Sequence, residues 1–360
     1  MLTPNCTLVT ACFDLSKYHG GARSVEKSLE GLRILLKQPI YLVIFGNQHI
    51  IDKIQEERVL YGYDKLTRYK VCEYEDIWTS QFTQKVKRNR QGYWPTEDER
   101  TCAESHLLVC NKFDFVLQVI DENPFQTARF GWVDSNLKTD EENNNKICTD
   151  YSMNKLTYVL DNTKTDKFHL QVMGCVDKKY KEKVHKIEYY LEYRWLVCGC
   201  LFICGADVGK KILTRLKQVF VETTIAGYGH GEEMFYLEVL DEFRDDIERA
   251  YGDYQHILNN FIHITKDLYY VYHAVLAPSF DMMYLEDVVD CGEKILDSIE
   301  NHHLEIHGSI DYGLYISTMR LLVYSYQHVN PDRGDEIHQH MMKLADTNDA
   351  FKEATCGYLV

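Results

Sequence analysis

The apolar residues near the N-terminus fall into two short continuous runs with an amphipathic segment between them. The runs, residues 7–13 and 40–45, are rich in strand-forming side chains. Residues 24–37, between them, carry leucines at helical spacing. Strands that are apolar at every position are typical of a parallel sheet covered by helices on both faces. We therefore predict a βαβ unit at the start of an α/β domain.

The alternation of strands and helices continues to about residue 270. Further apolar runs predict strands, at residues 69–74, 130–133, 168–172 and 196–204. Apolar residues at helical spacing predict helices, at residues 52–61, 96–123 and 208–223 and from residue 232 onwards. Pro124 ends the longest of these helices, because the residue before a proline is disfavoured in helical geometry.

The last 80 or so residues show only helical periodicity. Helices are predicted at residues 285–299, 315–326 and 336–344, with no strand among them. The sequence thus predicts an α/β domain at residues 1–272 and an all-helical C-terminal extension at residues 273–360. The apolar positions of this extension either pack on the sheet domain or form a homodimer.

Composition narrows the classes of protein that fit this pattern. The 360 residues carry a formal net charge of −15, which argues against nonspecific binding to nucleic acid or an anionic membrane. No apolar run reaches the length of about 18 residues that would span a membrane, and no leader pattern opens the chain. The 12 cysteines lack zinc-site spacing, so free thiols in a reducing compartment are expected. We expect a cytoplasmic protein.

The first candidate site is the polar turn that follows the strand predicted at residues 130–133. Asp134, Ser135 and Asn136 come directly after Trp132 and Val133. Open α/β sheets bind their ligands at the carboxyl ends of strands. Oxygen atoms of Asp134 and Asn136 can hold a divalent cation, which would neutralise a departing nucleotide diphosphate. The same residue types also form ordinary turns, and that alternative stays open.

Two glycine-containing segments are the next candidates. Gly199 and Gly205 bracket an apolar run, where the backbone can approach a ligand closely, although a plain core strand has the same pattern. Further on, Glu232 and Glu233 follow a glycine-rich turn. Either carboxylate can act as the base that deprotonates an acceptor hydroxyl. The alternative role is a favourable charge at a helix N-terminus.

His263 completes the candidates as a third metal ligand or a phosphate contact. It follows the segment at residues 251–254, Tyr-Gly-Asp-Tyr, and the pair Asn259 and Asn260. A single histidine in such a context is more often structural, so both roles stay open.

The order of these motifs resembles the bacterial HtrL/YibB-type glycosyltransferases. The resemblance covers roughly residues 5–265. Its more specific parts are residues 124–134, where an aromatic strand runs into Asp134, and residues 251–254. In this chain Asn136 replaces the second Asp of the usual metal motif, and Glu232 stands where Asp is common.

The resemblance implies a GT-A fold, a mostly parallel mixed sheet flanked by helices, and a role for individual residues. Mn²⁺ or Mg²⁺ would be bound by Asp134, with Asn136 and His263 as further ligands. Glu232 or Glu233 would act on the acceptor. The nucleotide sugar would be bound by Thr10, Ala11, Asp14, Lys112, Trp132, Asp134, Ser135, Gly199 and Gly205.

The expected activity is metal-dependent transfer of a sugar from a UDP- or GDP-sugar to a glycan or another hydroxyl acceptor. One alternative is a catalytically silent relative that keeps the fold as an interaction module. Another is a sugar nucleotidyltransferase, for which residues 20–23 offer a faint glycine-rich loop after the first strand.

Overall fold

The chain is seen in a computed structural model that describes residues 3–18, 25–92, 102–135, 137, 148–149, 151–228, 231–306 and 310–355. Two compact units are present. Unit 1 comprises Met1–Gln171 and Lys178–Arg249, and unit 2 comprises Val172–Asp177 and Ala250–Val360. The functional boundary between residues 272 and 273 stays a prediction.

Seven strands form one mixed sheet in the order β3-β2-β1-β4-β6-β5-β7. β1 pairs in parallel with β2 and β4, β2 pairs in parallel with β3, and β4 pairs antiparallel with β6. The strands are β1 (Cys6–Cys12), β2 (Tyr41–Gly46), β3 (Thr67–Val71), β4 (Arg129–Val133), β5 (Phe168–Val172), β6 (Val197–Gly205) and β7 (Ile247–Tyr251). A mostly parallel, mixed sheet flanked by helices is confirmed.

Helices precede and follow the strands, as the βαβ pattern predicts. Those up to β7 are α1 (Val25–Leu36), α2 (Gln48–Leu60), α3 (Thr83–Gly92), α4 (Ala103–Cys110), α5 (Lys112–Glu122), α6 (Met153–Asn162), α7 (Lys186–Leu191), α8 (Ala206–Ala226) and α9 (Tyr236–Glu242). After β7 come α10 (Ile257–Asn260), α11 (Leu268–Val271), α12 (Ala277–Asp281), α13 (Leu285–Ile306), α14 (Tyr312–Val329), α15 (Pro331–Thr347) and α16 (Asp349–Thr355). Residues 252–306 and 310–355 contain no strand, which confirms the helical C-terminal part. Nowhere in the described part of the chain is a helix both long and apolar enough to cross a membrane.

Two differences from the sequence prediction have a clear physical reason. The single helix predicted at residues 96–123 was wrong, because α4 and α5 are separate helices with Asn111 at the junction, and residues 96–101 of the prediction lie outside the described residues. The buried Asn111 side chain accepts a hydrogen bond from the Thr79 backbone N–H at 3.1 Å, a contact that local periodicity does not show. β7 was not predicted, because its five residues include both Glu248 and Arg249 and do not form a continuous apolar run.

The strand order fixes which edge of the sheet can bind a ligand. The chain passes from β1 to β2 and β3 on one side, and then crosses to β4 on the other side of β1. Such a reversal leaves a crevice at the carboxyl ends of the two diverging strands. Because β6 is antiparallel to β4, its first residues lie at this same edge. The register places Val133 opposite Leu201 and Arg129 opposite Gly205.

Arg58, on α2, binds backbone carbonyls just before β2. We therefore expect its substitution to cause a large loss of stability. Its fully buried guanidinium donates hydrogen bonds to the carbonyls of Leu36, Gln38 and Ile40 at 2.8–3.0 Å. Each buried polar group left without a partner costs about 1–3 kcal/mol. We expect Arg58→Leu to lower the free energy of unfolding by about 3 kcal/mol or more in urea titrations. Exposed Lys53 on the same helix is the control, and a Lys53→Ala loss as large as that of Arg58→Leu would contradict the assignment.

Candidate active site

Asp134 lies at the carboxyl end of β4, next to the point where the strand order reverses. Its backbone N–H donates to the Cys200 carbonyl at 2.9 Å, which continues the β4–β6 ladder by one residue. Its Oδ1 accepts a hydrogen bond from Trp132 Nε1 at 2.5 Å. The Trp132 indole is 5% exposed, whereas the Asp134 side chain is 41% exposed. A buried indole therefore orients a carboxylate that solvent and ligands can reach.

Lys112, the first residue of α5, is the cation at the centre of this edge. Its side chain is 1% exposed, and Nζ donates to the Gly199 carbonyl at 2.9 Å and to the Glu232 carboxylate. Nζ also lies 3.5 Å from Asp134 Oδ1 and 5.4 Å from the centre of the Trp132 ring. One ammonium thus joins α5, β4, β6 and the turn that carries Glu232. In this arrangement Lys112 positions the carboxylates through contacts within the protein.

The glycine-rich segment after α8 brings the two glutamates to the same place. α8 ends at Ala226, and Gly227 follows with φ of 102°, a left-handed conformation that favours glycine. Glu232 begins a short 3-10 turn and is 3% exposed. Gly199 faces this turn, and a Cβ there would lie 2.6 Å from Glu232 Oε1 and 3.0 Å from Glu233 Oε1. The absence of a side chain at Gly199 therefore makes room for both carboxylates.

Glu233 has an unusual protonation state. Burial, and after it the neighbouring charge of Glu232, raises the pKa of Glu233 to about 8 although Lys112 opposes the shift. The Tyr193 hydroxyl donates to Glu233 Oε2 at 2.5 Å. Burial and the two glutamates raise the pKa of Tyr193 well above its usual value, so this hydroxyl stays a donor. Glu233 therefore holds its proton more tightly than an ordinary carboxyl group does.

Lys112 stays charged in spite of its burial. Burial lowers its pKa, but the charges of Asp134, Glu232 and Glu233 outweigh burial and raise the pKa well above the usual value. One cation therefore faces three acidic side chains. Even with Glu233 protonated, the cluster has a net negative charge and favours an additional cation.

A second group of polar residues follows β1 and β2 at the same edge. The Asn47 side-chain carbonyl accepts from the Asp14 backbone N–H at 2.7 Å, and Asp14 Oδ1 accepts from the Ser16 N–H at 2.9 Å. The pKa of Asp14 is lowered, first by its hydrogen bonds with Ser16 and also by His49, 3.5 Å away. Asp14 is thus a fixed anion. Asn47 was missed in the sequence, although it directly follows the apolar strand β2 in the way that Asp14 follows β1.

The strand residues predicted to contact a nucleoside differ in exposure. Thr10 is fully buried, and its Oγ1 has no hydrogen-bond partner among the described residues. Ala11 is partly exposed. Ala11 therefore offers accessible surface before the carboxyl end of β1, whereas the side chain of Thr10 lies inside the sheet.

The other residues predicted for the site are Gly205, His263, Ser135 and Asn136. Gly205 lies at the other end of β6, six residues or about 20 Å from Gly199. A Cβ at Gly205 would collide with the Thr165 backbone, which gives its missing side chain a packing role. His263 belongs to unit 2, where its ring stacks on His302 with centroids 3.8 Å apart. Ser135 follows Asp134 in a turn, and Asn136 lies outside the described residues.

Tyr193 is the residue of this cluster that sequence analysis missed. It lies 40 residues from Glu233 in the chain, between α7 and β6. Its only sequence signal is the high density of aromatic residues at positions 189–195.

The oxygen atoms available at this edge of the sheet suit a divalent cation that is also bound by the phosphate groups of a substrate. Within the described ranges no three His, Cys, Asp or Glu side chains are grouped closely enough to form an all-protein metal site. Asp134 Oδ1 already accepts from Trp132, which leaves Oδ2 of the exposed carboxylate for a ligand. Mg²⁺ is commonly bound by one or two carboxylates together with phosphates and water. Asp134 is suited to that mode of binding.

Comparison with known proteins finds likenesses among solved structures. No protein-family model matches the chain, and no curated protein sequence matches it. Among solved structures the chain is similar to the crystal structure of mouse Xyloside xylosyltransferase 1 in its apo form. The two chains are 10% identical with a TM-score of 0.37, and the likeness covers 68% of this chain and 84% of that chain. Membership of the HtrL/YibB family stays a prediction from the motifs.

Removal of the central cation should destabilise the fold. Lys112→Met leaves Glu232 buried without a counter-charge, and breaking a buried ion pair costs about 3–5 kcal/mol. We expect a loss of that size in the free energy of unfolding at pH 7.5, measured by urea titration. Exposed Lys65→Met is the control in the same titrations. Equal losses in both variants would show that charge at Lys112 is not the cause.

The raised pKa of Glu233 should make the free energy of unfolding depend on pH between pH 5 and pH 8. Its folded pKa of about 8 exceeds that of an unfolded carboxyl, about 4.3, so the folded state binds this proton more tightly. That contribution is present in acid and is lost as the pH rises towards 8. Over this pH range the free energy of unfolding of Glu233→Gln should rise by about 2 kcal/mol relative to that of the wild type. This is less than the energy equivalent of the full pKa shift, because the side chain is partly exposed. Exposed Glu56→Gln should show no such gain, and parallel pH profiles for all three proteins would refute the assignment.

Proposed function

We propose that the chain is a glycosyltransferase of the GT-A type, which moves a sugar from a nucleotide-diphosphate donor to an acceptor hydroxyl. The observation that carries the proposal is the contact set of buried Lys112. It joins Asp134 to Glu232 and Gly199 at the carboxyl edge of the sheet, beside the reversal of strand order. That edge is where open α/β sheets bind nucleotides.

The donor would lie across the ends of β1 and β4. Asp14 and Asn47 offer fixed polar groups for the nucleoside of a UDP- or GDP-sugar, with Ala11 as adjacent surface. Asp134 lies at the end of β4, on the other side of the point where the strand order reverses, and we place the diphosphate there. We leave Gly205 out of this proposed site, because the register places it at the opposite edge of the sheet.

The proposed cofactor is Mn²⁺ or Mg²⁺, bound through Asp134 with Asn136 as a further oxygen donor. When bound, such a cation neutralises the charge that develops on the departing nucleoside diphosphate. His263 as a third ligand stays a prediction. Trp132 and Lys112 orient Asp134 and prevent its carboxylate from rotating away from the crevice.

Glu233 is the proposed base for the acceptor. In the transfer, a bond forms between the acceptor oxygen and the anomeric carbon, and the bond from that carbon to the diphosphate oxygen breaks. The acceptor proton passes to the Glu233 carboxylate, and the electron pair leaves with the nucleoside diphosphate. A base with a pKa of about 8 is well matched to this task in mildly alkaline solution. Glu232, held by Lys112, keeps the neighbouring charge that raises this pKa.

Binding of the donor product tests the proposal directly. UDP or GDP at about 100 times its Kd should stabilise the protein by about 2.7 kcal/mol, and the gain should require Mn²⁺. Asp134→Asn should weaken this metal-dependent stabilisation at least ten-fold in apparent Kd, measured by thermal unfolding. The control Asp166→Asn changes an exposed carboxylate and should leave the metal-dependent stabilisation unchanged. No stabilisation of the wild type by any nucleoside diphosphate, with or without metal, would contradict the proposal and favour a catalytically silent module.

A further inference from the structure

Tyr193 reaches the carboxyl group of Glu233 from a different part of the chain. It lies between α7 and β6, and its hydroxyl donates a hydrogen bond to Glu233 Oε2 at 2.5 Å. The ring of Trp195 packs beside the Tyr193 ring, with the two centroids 4.9 Å apart. Because the hydroxyl is carried on a rigid ring that has its own packing partner, the hydrogen bond restricts rotation of the Glu233 carboxyl group.

Gly231, the last glycine of the turn that precedes the two glutamates, makes room for this hydrogen bond. A Cβ at Gly231 would lie 2.6 Å from Tyr193 Cε2 and 2.8 Å from Glu233 Oε2, and it would also collide with the Tyr193 hydroxyl. The backbone of Gly231 has a φ of −48°, which residues other than glycine adopt without strain. Glycine is therefore required at this position by the space that Tyr193 and Glu233 occupy, and the backbone conformation does not require it.

The second oxygen of the Glu233 carboxyl group lies towards β6. A Cβ at Gly199 would be 3.0 Å from Glu233 Oε1. The Gly199 carbonyl accepts a hydrogen bond from Lys112, and Lys112 Nζ is 3.5 Å from Asp134 Oδ1. The two oxygens of Glu233 thus have different surroundings, because Oε2 contacts Tyr193 and Oε1 lies beside the strand that leads to the other acids.

We propose that Tyr193 is a positioning residue for the transfer, which holds Oε2 of Glu233 so that Oε1 takes the proton of the acceptor. This inference rests on the proposed function. It also gives the glycine-rich turn a role, because Gly231 leaves the space in which the hydroxyl and the carboxyl group meet.

The same hydrogen bond affects the protonation of Glu233. A donor to a carboxylate favours the charged form, so Tyr193 lowers the pKa of Glu233 against burial and the neighbouring carboxylate, which raise it to about 8. Lys112 keeps its charge, and burial raises the pKa values of Cys110 and Tyr236, so that both stay neutral beside Glu233. Loss of the Tyr193 hydroxyl should therefore raise the pKa of Glu233 further.

The test is the pH profile of donor hydrolysis, in which water takes the place of the acceptor and needs the same base. With Mg²⁺ and a panel of UDP- and GDP-sugars, kcat/KM of the wild type should reach half of its plateau near pH 8. In Tyr193→Phe this midpoint should move up by about one pH unit, so that activity at pH 6.5 falls about ten-fold. Tyr158→Phe changes an exposed tyrosine on α6 and should keep the wild-type profile.

A second variant keeps both reacting groups and removes only the space between them. Gly231→Ala should displace the Tyr193 hydroxyl from Glu233 and move the midpoint of the pH profile in the same direction as Tyr193→Phe. Gly313→Ala is the matched control, because an added Cβ there meets Asp311 Oδ1 at a tolerable 3.3 Å. It should leave the profile unchanged.

Urea titrations without substrate test the contact independently of activity. In the wild type, the stability contributed by the protonated Glu233 is lost as the pH rises towards 8. In Tyr193→Phe this loss should extend to about one pH unit higher. The same Tyr193→Phe change made in Glu233→Gln should cause no change in the pH dependence, because the carboxyl group is absent.

Two results would overturn the inference about Tyr193. One is a Tyr193→Phe variant that loses activity by the same factor at every pH with the midpoint unchanged, which would give Tyr193 only a structural role. The other is an effect of Tyr193→Phe on the pH dependence of unfolding that is equally large in Glu233→Gln. A wild type that shows neither donor hydrolysis nor nucleotide-dependent stabilisation would instead overturn the proposed function.

Discussion

The candidate site depends on one buried ammonium group. Lys112 Nζ lies among the Gly199 carbonyl, the Glu232 carboxylate and Asp134 Oδ1. Without this charge, the carboxylates of Asp134 and Glu232 would lie close together at a sheet edge with no cation between them. A buried charge is costly unless it is paired and hydrogen-bonded, and here both conditions are met.

The Lys112 ammonium gives Glu232 and Glu233 different roles. Glu232 contacts Lys112 directly and therefore acts as its counter-charge. Glu233 contacts the Tyr193 hydroxyl instead, and burial next to Glu232 raises its pKa to about 8. The adjacent carboxyl groups thus differ because Glu232 accepts a hydrogen bond from Lys112, whereas Glu233 accepts one from Tyr193. Environments that separate the protonation states of neighbouring acids are typical of acid–base chemistry.

The fold was largely predictable because its signals are local. Continuous apolar runs identified β1, β2 and β4, and helical spacing identified α13 to α15. The break at Asn111 was missed, because it depends on a hydrogen bond with Thr79, 32 residues earlier in the chain. β7 was missed because Glu248 and Arg249 interrupt its apolar pattern. In both cases tertiary contacts outweigh the local pattern.

The sequence by itself determined that Asp134 ends a buried strand and that Glu232 and Glu233 follow a glycine-rich turn, because short-range periodicity and turn chemistry indicate both. Only the tertiary structure decided which of these groups meet. Lys112 reaches Gly199 and Glu232 across 87 and 120 residues, and strand register separates Gly205 from Asp134. The pairing of Tyr193 with Glu233 has the same origin. Such contacts follow from strand order and packing, and no local pattern of residue types encodes them.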